Sequence, residues 1–190
     1  MEKELLAIIY EKGFKLSPEP TFKLASGRLS KYYIDCRIVT SLPKAKYLIS
    51  QIILKKIADL DVVAIGGMET GAIPIADSVS YGSYLKGKEI KSFWVRKNAK
   101  NHGLKKWIEG EVKRGDRVII VEDVITTGKS VLEAIQRCQD EGLEVVKVIA
   151  LIDRQEENGK ENIENQGISV ETIFTLQDLI HFPPNPNEGR

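Results

Sequence analysis

Four short apolar runs, separated by helical or polar stretches, constrain the fold of this chain more than any other feature of its sequence. They read VVAI (62–65), IKSFWV (90–95), RVIIV (117–121) and VVKVIALID (145–153). Apolar runs of this length are typical of strands that are buried on both faces. Helical stretches follow the first run, up to about Tyr81, and the third run, as VLEAIQRCQDEG. The pattern therefore predicts an α/β fold with a central parallel sheet, covered by helices on both faces and joined by right-handed crossovers.

The residues before the first run show a different pattern. The apolar residues of ELLAII (4–9) have the spacing of an amphipathic helix, which we expect to end near Gly13. Polar and apolar residues alternate over 33–38 and predict a strand after a Ser-Gly turn. A further helix is predicted from Pro43 to about Leu60, since proline suits the first turn of a helix.

Composition excludes several classes of protein. Hydrophobic residues make up 42% and charged residues 29% of the 190 residues, which is the balance of a globular chain. No run approaches the roughly 20 apolar residues of a membrane helix, and the acidic N-terminal sequence does not resemble a signal peptide, so we expect no membrane association. Cys36 and Cys138 lie far apart, which disfavours a disulfide framework and favours a reducing, cytoplasmic location.

Positive charge is concentrated in one part of the sequence. The net charge of the chain is +1, but residues 86–117 contain eleven Lys or Arg and four acids, a local net charge of +7 that leaves −6 elsewhere. This distribution predicts a focused anion site rather than a nucleic-acid partner, which would require more total positive charge. A solvated, lysine-rich face would give the same count, so charge alone does not distinguish an anion site from a solvated face.

The strongest functional signal is the sequence RVIIVEDVITTGKS (117–130). An apolar strand leads into the adjacent acids Glu122 and Asp123, and then into a Thr-Thr-Gly-Lys-Ser turn that opens a helix. Backbone N–H groups at a helix N-terminus favour a phosphate, and ligands of open parallel sheets bind beyond the carboxyl ends of the strands. Gly128 allows the backbone to approach such a ligand. The two carboxylates suit sugar hydroxyls or a hydrated magnesium ion beside the phosphate.

The same residues partly match a nucleotide-triphosphate P-loop and an ordinary capped helix. The letters GKS end the P-loop pattern, but that pattern requires a glycine where this chain has Asp123, and a carboxylate there disfavours polyphosphate. A capped helix after a buried strand would need no ligand. The adjacent acids and the threonine-glycine turn disfavour such a purely structural role.

The thirteen residues VIIVEDVITTGKS (118–130) resemble the phosphoribosyl-pyrophosphate signature of type I phosphoribosyltransferases. The resemblance implies their Rossmann-like parallel sheet with a small N-terminal hood. We accordingly expect one domain over residues 1–180, with a hood of about 1–42, a core of 43–180 and a flexible tail over the proline-rich residues 181–190. It also implies that 5-phosphoribosyl 1-pyrophosphate (PRPP) is bound by Glu122, Asp123, Val124, Ile125, Thr126, Thr127, Gly128, Lys129 and Ser130.

Further segments resemble orotate phosphoribosyltransferases in particular. They are FKLASGRLSKYYIDCR (22–37), the pyrophosphate loop GGMETGAIPIA (66–76), the catalytic loop VRKNAKNHG (95–103) and the strand end ALIDRQE (150–156). The resemblance implies transfer of the phosphoribosyl group of PRPP to orotate, giving orotidine 5′-monophosphate and pyrophosphate. It implies Mg²⁺ as cofactor, held through substrate and water without direct protein ligands, and a homodimer whose catalytic loops reach into the neighbouring sites.

The same resemblance assigns the remaining site residues. Additional PRPP contacts fall to Arg96, Lys97, Lys100 and His102. Orotate contacts fall to Tyr33, Thr126 and Arg154. Catalytic roles fall to Lys100, His102 and Asp123. The chemistry of these residue types agrees, because a departing pyrophosphate needs dense positive charge and an arginine can pair in bidentate fashion with a carboxylate.

Two positions depart from some members of the family. Ala25 stands where some carry a lysine before the Ser-Gly-Arg turn, and the pair Glu69 and Thr70 replaces an aromatic-lysine pair. Both changes remove cations near the expected pyrophosphate and put those contacts in doubt unless backbone amides provide them. Transfer to another base and a non-catalytic, PRPP-sensing regulator remain as alternatives. A carboxylate-binding arginine speaks against the first, and the complete loop sequence speaks against the second.

Overall fold

The strands of the molecule follow the apolar runs of the sequence. The computed structural model describes residues 1–24, 27–98 and 106–182. The strands in these ranges are β1 (Phe14–Leu16), β2 (Phe22–Lys23), β3 (Leu29–Ser30), β4 (Tyr32–Ile34), β5 (Ala64–Met68), β6 (Lys91–Val95), β7 (Ile108–Gly110), β8 (Arg117–Ile125), β9 (Glu144–Asp153) and β10 (Ser169–Thr175).

Helices connect most of these strands. The first, α1, continues as a single π-helical turn over Ile9–Gly13, so the predicted end at Gly13 is confirmed. The α-helices are α1 (Glu2–Ile8), α2 (Cys36–Ser41), α3 (Pro43–Lys56), α4 (Ala72–Tyr84), α5 (Lys129–Asp140), α6 (Gly159–Glu164) and α7 (Leu176–Ile180). No helix in the described ranges combines the length and the apolar content that crossing a bilayer requires.

The central sheet has the strand order β10-β9-β8-β5-β6-β7. The first five of these strands run parallel, and β7 pairs antiparallel with β6 at one edge. The two small sheets of the N-terminal region are antiparallel and pair β1 with β4 and β2 with β3. The predicted α/β fold with a parallel sheet is confirmed, while the division into hood and core remains a prediction.

The central sheet is buried on both faces, as the apolar runs predict. Along β8, Ile119 and Val121 face the core on the side of α3 and α4, whereas Val118 and Ile120 face the core on the side of α5 and α6. All four side chains are fully buried. Each aliphatic side chain buried in this way contributes about 1.5–3 kcal/mol, so the sheet is a rigid support for the loops at its ends.

The structure corrects one secondary-structure prediction. The predicted strand over residues 33–38 ends at Ile34, and helix α2 begins at Cys36. The cause is local: the Asp35 side chain accepts a hydrogen bond from the backbone N–H of Arg37 at 3.1 Å and caps the new helix. This capping interaction overrides the alternation of polar and apolar residues.

Several elements are longer than expected or were not predicted. The apolar run at 62–65 continues as strand through Met68, and β8 includes the acidic pair and ends at Ile125. The sequence patterns did not predict β7, β10, α6 or α7. Most of the predicted tail, residues 183–190, lies outside the described residues.

Candidate active site

A cleft of about 350 Å³ lies where β5, β8 and β9 end, on the side of the N-terminal strands. Segments that are far apart in the chain contribute to it, which agrees with ligand binding beyond the carboxyl ends of parallel strands. The lining residues are Lys23, Leu24, Tyr33, Ile34, Asp35, Cys36, Arg37, Met68, Glu69, Thr70, Gly71, Lys97, Glu122, Asp123, Val124, Thr126, Ser130 and Arg154.

The two acids at the end of β8 occupy different environments. Glu122 is 7% exposed, and its Oε1 accepts a hydrogen bond from the backbone N–H of Asp123 at 3.1 Å. Burial raises the pKa of Glu122 well above its ordinary value, and the neighbouring Asp123 charge raises it further, while the Lys97 charge opposes both effects. Asp123 is less buried, and its Oδ1 accepts from the backbone N–H of Val124 at 2.8 Å. Asp123 is therefore the acid whose carboxylate is more accessible from the cleft.

The turn between β8 and α5 is shaped by a glycine and held by α6. Gly128 has a φ of +78°, and a Cβ at this position would lie 2.6 Å from the backbone oxygen of Gly159. The side-chain amide of Asn162 donates to the backbone oxygen of Thr127 at 3.1 Å, and the Lys129 N–H donates to Thr127 Oγ1 at 3.3 Å. This turn holds the first N–H groups of a twelve-residue helix beside the cleft, where they favour an anion.

The loop after β5 lies directly against the acidic pair. A Cβ at Gly71 would lie 2.7 Å from Oδ1 of Asp123, so only glycine leaves this carboxylate its place. The peptide bond between Glu69 and Thr70 is cis. Oε1 of Glu69 accepts a hydrogen bond from the backbone N–H of Lys97 at 2.8 Å, which joins this loop to the end of β6.

Arg154 connects the end of β9 to the N-terminal strands. Its side chain is only 4% exposed. Nη2 donates to Oγ of Ser30 at 3.2 Å and to the backbone oxygen of Tyr32 at 3.0 Å, while Nε donates to Glu156 at 2.7 Å. Oγ of Ser30 in turn donates to Oε1 of Glu156 at 3.0 Å. These contacts fix a buried cation at one side of the cleft.

A second ion pair, between Arg37 and Asp35, orients Tyr33. The Tyr33 hydroxyl donates to Asp35 at 3.3 Å, and Arg37 donates to the same carboxylate through Nε at 2.9 Å and Nη2 at 3.0 Å. The hydrogen bonds from Arg37 lower the pKa of Asp35, although burial opposes this shift. Asp35 therefore stays ionised and holds the tyrosine ring at the wall of the cleft.

Comparison with known proteins places this geometry in a family. A family model for the phosphoribosyl transferase domain matches residues 38–179. The orotate phosphoribosyltransferase of Aquifex aeolicus is 43% identical over 181 residues, which cover 95% of this chain and 98% of that protein. The chain belongs to the orotate phosphoribosyltransferase family. Members of this family are glycosyltransferases that transfer a pentosyl group.

Solved structures of orotate phosphoribosyltransferases have the same fold. The Mycobacterium tuberculosis enzyme in complex with Fe(III) dicitrate is 36% identical and superposes with a TM-score of 0.81, covering 94% of this chain and 98% of that one. The enzyme from the same organism in complex with PRPP is 31% identical, with a TM-score of 0.75 over 94% of this chain and 90% of that one. The expected type I phosphoribosyltransferase fold is thus confirmed.

The structure brings together many of the residues that the resemblance to orotate phosphoribosyltransferases predicts for the site. Those that line the cleft are Tyr33, Lys97, Glu122, Asp123, Val124, Thr126, Ser130 and Arg154. Thr127, Gly128 and Lys129 belong to the adjoining turn but are not among the lining residues of the described chain. Lys100 and His102 lie outside the described residues, as does Ala25.

Two predicted PRPP contacts lie elsewhere in the structure. Ile125 is 1% exposed and packs in the core on the side of α5, whereas its neighbours Val124 and Thr126 line the cleft. Arg96 pairs through Nη1 with Glu109 at 3.4 Å and donates through Nε to the backbone oxygen of Asn98 at 3.2 Å. Its pairing partner lies on β7, which the sequence patterns did not predict.

Sequence reasoning missed several residues that support the site. Ser30 and Glu156 hold Arg154, Asn162 holds the turn, and Gly71 makes room for Asp123. For Glu156 a signal existed, since an acid two residues after a strand-end arginine is a natural partner for it. The others depend on contacts between distant segments, which a single sequence does not reveal.

The described residues do not form a ready-made metal cage. No group of three or more His, Cys, Asp or Glu side chains with suitable geometry for a metal ion occurs among them. Glu122 and Asp123 provide carboxylate oxygens at the cleft, and these are the ligand type that Mg²⁺ prefers. The donor set therefore fits an ion that is shared with a phosphorylated substrate and water.

Proposed function

We propose that this chain transfers the phosphoribosyl group of PRPP to orotate, giving orotidine 5′-monophosphate and pyrophosphate, a step of pyrimidine nucleotide synthesis. The observation that carries the proposal is the meeting of two recognition elements in one cleft. The acidic pair and the threonine-glycine turn suit a phosphorylated ribose, and Arg154 from the neighbouring strand suits a planar carboxylate.

The sugar substrate takes its position from the end of β8 and the start of α5. In this proposal the 5′-phosphate accepts hydrogen bonds from the N–H groups of the turn at 126–130, with the hydroxyls of Thr126 and Ser130 at the cleft wall. Asp123 accepts hydrogen bonds from the ribose hydroxyls. Val124 lines the same wall of the cleft, and Gly128 shapes the turn that presents these N–H groups.

Orotate then lies between the N-terminal strands and the end of β9. Arg154 supplies a fixed positive charge for the orotate carboxylate, and the contacts with Ser30 and Glu156 limit the side-chain entropy lost on binding. Tyr33 lines the ring pocket and is held by Asp35, while Thr126 offers a hydroxyl. A ring nitrogen of orotate attacks the sugar carbon from this position.

The reaction exchanges one bond at the sugar carbon. The bond to the pyrophosphate oxygen breaks with both electrons leaving on pyrophosphate, and the lone pair of the orotate nitrogen forms the new bond. The carbon passes through an oxocarbenium-like state, so positioning and stabilisation of the leaving group dominate catalysis. Lys97, together with Lys100 and His102 of the catalytic loop and N–H groups near Thr70, provides the positive charge.

We propose Mg²⁺ as the cofactor, with Glu122 and Asp123 as the residues that would hold it through substrate and water. When bound, the ion would offset negative charge on the pyrophosphate and so favour its departure. The burial of Glu122 and the contact between Gly71 and Asp123 fix where these carboxylates stand before the substrate arrives.

We also propose a homodimer that shares its active sites. A groove of about 400 Å³ between α3 and α4 is lined by Tyr47 and Tyr81, which are 62% and 68% exposed. Tyr84 and Leu85 are equally exposed. Such a concentration of exposed apolar surface is typical of an interface.

The free, buried thiols of Cys36 and Cys138 agree with the proposed cytoplasmic location.

A direct assay tests the proposed reaction. The absorbance of orotate should fall when PRPP and Mg²⁺ are added to the protein, and should not fall without PRPP. Adenine and hypoxanthine serve as competing bases, and Lys100→Ala serves as the matched variant, which should lose nearly all turnover while its circular dichroism stays unchanged. Consumption of a purine instead of orotate, or no turnover of any base, would contradict the proposal.

A further inference from the structure

Arg137 makes an unusual set of contacts on the α5 side of the sheet. It lies in the last turn of α5, the helix that begins at the threonine-glycine turn. The guanidinium carbon stands 3.8 Å from the centre of the Trp107 ring, which is a cation–π contact. Nη2 donates to the backbone oxygen of Lys97 at 3.3 Å and also pairs with Glu133.

Two of the residues that Arg137 contacts, Lys97 and Trp107, flank the catalytic loop sequence. Lys97 follows β6 and Trp107 precedes β7, and residues 99–105 between them carry Lys100 and His102. The backbone N–H of Arg96 donates to the backbone oxygen of Trp107 at 2.9 Å, so the two sides are also joined to each other. Arg137 thus attaches both of them to α5.

Lys97 connects this attachment to the cleft. Its backbone N–H donates to Glu69, and its side chain lines the cleft near Glu122. A displacement of the Lys97 backbone would therefore move a cleft cation and the loop after β5 together. Trp107, on the other side, stacks its ring on the guanidinium face, so the position of the ring depends on Arg137.

The guanidinium of Arg137 is poorly optimised for stability alone. Nη1 is buried and has no hydrogen-bond partner among the described residues. A buried donor without a partner destabilises the folded state. The planar group nevertheless combines a face for the indole with an edge that donates to a carbonyl, which neither lysine nor methionine can do.

We propose that Arg137 is a positioning residue for phosphoribosyl transfer. It fixes the Lys97 backbone and the Trp107 ring relative to α5, and so sets where the catalytic loop joins the phosphate-binding helix. The inference rests on the proposed function for its kinetic consequences, but the contacts with Trp107 and Lys97 can be tested without turnover.

Steady-state kinetics separate positioning from binding and from folding. Arg137→Ala and Arg137→Met should lower kcat by about tenfold or more, as expected for a small misplacement of reacting groups, and should change KM for PRPP and orotate by less than about threefold. Arg137→Lys should restore only part of kcat. Arg117→Ala is the matched control, because it removes an arginine bonded to Glu144 and Asp61 at the opposite end of β8.

A double-mutant cycle and a spectroscopic measurement complete the test. If Arg137 acts through the ring, the effects of Arg137→Ala and Trp107→Leu on kcat should be far from additive. The chain has two tryptophans, so a Trp94→Phe background leaves Trp107 as the single indole fluorophore. In that background, Arg137→Ala should make the fluorescence clearly more accessible to acrylamide quenching.

The outcomes distinguish this inference from the proposed function. Normal kcat in the Arg137 variants of an active parent, or the same loss of kcat in Arg117→Ala, would overturn the positioning role and leave the function standing. A parent without turnover would overturn the proposed function, and the quenching measurement would still decide the contact: unchanged quenching in Arg137→Ala would overturn the inference as well.

Discussion

Two adjacent carboxyl groups at the end of β8 show how strongly single residues depend on their surroundings. Glu122 is buried at the base of the cleft, whereas Asp123 stands beside Gly71 and faces the open space. Burial and the neighbouring charge push the pKa of Glu122 well above its ordinary value. Because a raised pKa favours the protonated form, the burial of Glu122 reduces the repulsion that an anionic substrate meets in the cleft.

Glu122→Gln should change how stability depends on pH. A carboxyl group with a raised pKa in the folded state contributes stability at low pH and loses it as pH rises from the unfolded value, about 4.3, through the folded value. Relative to the parent, the variant should therefore become more stable to heat as the pH rises from 5 to 8. Calorimetry without ligand should show that the Tm of the variant minus the Tm of the parent increases by at least about 2 °C over this pH range. A constant difference across this range would contradict the raised pKa.

Asp123→Asn should weaken binding of the sugar substrate. The amide keeps the hydrogen bond from Val124 but loses the negative charge that accepts from ribose hydroxyls. Isothermal titration with PRPP and Mg²⁺ should show a dissociation constant raised by about tenfold or more. Asp140→Asn, on the exposed far end of α5, is the control and should bind like the parent. Equal affinity of Asp123→Asn and the parent would reject the assigned role.

Single residues were predictable where chain order alone determined their place. Asp123 lies near the end of β8, while Thr126 and Arg154 directly follow β8 and β9. A parallel sheet brings these strand ends to one edge, so the meeting of the three residues in the cleft followed from the pattern. Arg96 was not predictable in this way, because its partner Glu109 reaches it only through the antiparallel edge strand. The burial of the Ile125 side chain was not predictable, because the motif does not reveal how far the strand continues, and its PRPP contact stays a prediction.

At the scale of elements, one acid joins three parts of the fold. Glu171 on β10 accepts from Lys56 of α3 at 2.6 Å and from Lys147 of β9 at 2.9 Å. Partial burial alone would raise the pKa of Glu171, but the hydrogen bonds and charges of the two lysines outweigh it and lower the pKa. This network fixes an edge of the sheet for which the sequence patterns predicted no strand.

Glu171→Gln should destabilise the fold in a pH-dependent manner. A lowered pKa contributes stability above the unfolded value, about 4.3, and this contribution is lost as pH falls through the folded value. We expect a loss of about 1 kcal/mol at pH 7 in urea unfolding, with the two curves converging near pH 3. Glu164→Gln, which removes an exposed pair with Lys160 at 3.9 Å, should cost less. A loss that persists unchanged at pH 3 would contradict an ionic cause.

Helices and strands were predictable where the periodicity of apolar residues determines the secondary structure. They were not predictable where a single side chain determines it. The four apolar runs and the helices that follow them dominate their segments, so the parallel core of the sheet could be anticipated. Helix α2 could not, because the capping carboxylate of Asp35 stands within a perfect alternation. Strand β7 is only three residues long and exists through its pairing with β6.

At the scale of the molecule, the face of α3 and α4 should decide the oligomeric state. Lys46 and Asp77 both line the groove between these helices, so two copies related by a two-fold axis can pair them reciprocally. Tyr81→Glu should shift the mass measured by light scattering from dimer to monomer and reduce turnover at low protein concentration. Leu16→Glu changes an equally exposed apolar residue elsewhere and should remain dimeric. A dimeric Tyr81→Glu would place the interface on another face.

The hydrogen atom that stands in place of a side chain at Gly71 makes the design of one loop depend on another. Its direct neighbour is the carboxylate of Asp123, which any larger group at position 71 would strike. An engineer who wishes to redesign the loop after β5, for a different leaving group, must therefore leave this one position untouched or rebuild the acidic turn at the same time. A change in one loop thus places a requirement on the other, although a long stretch of chain separates the two residues.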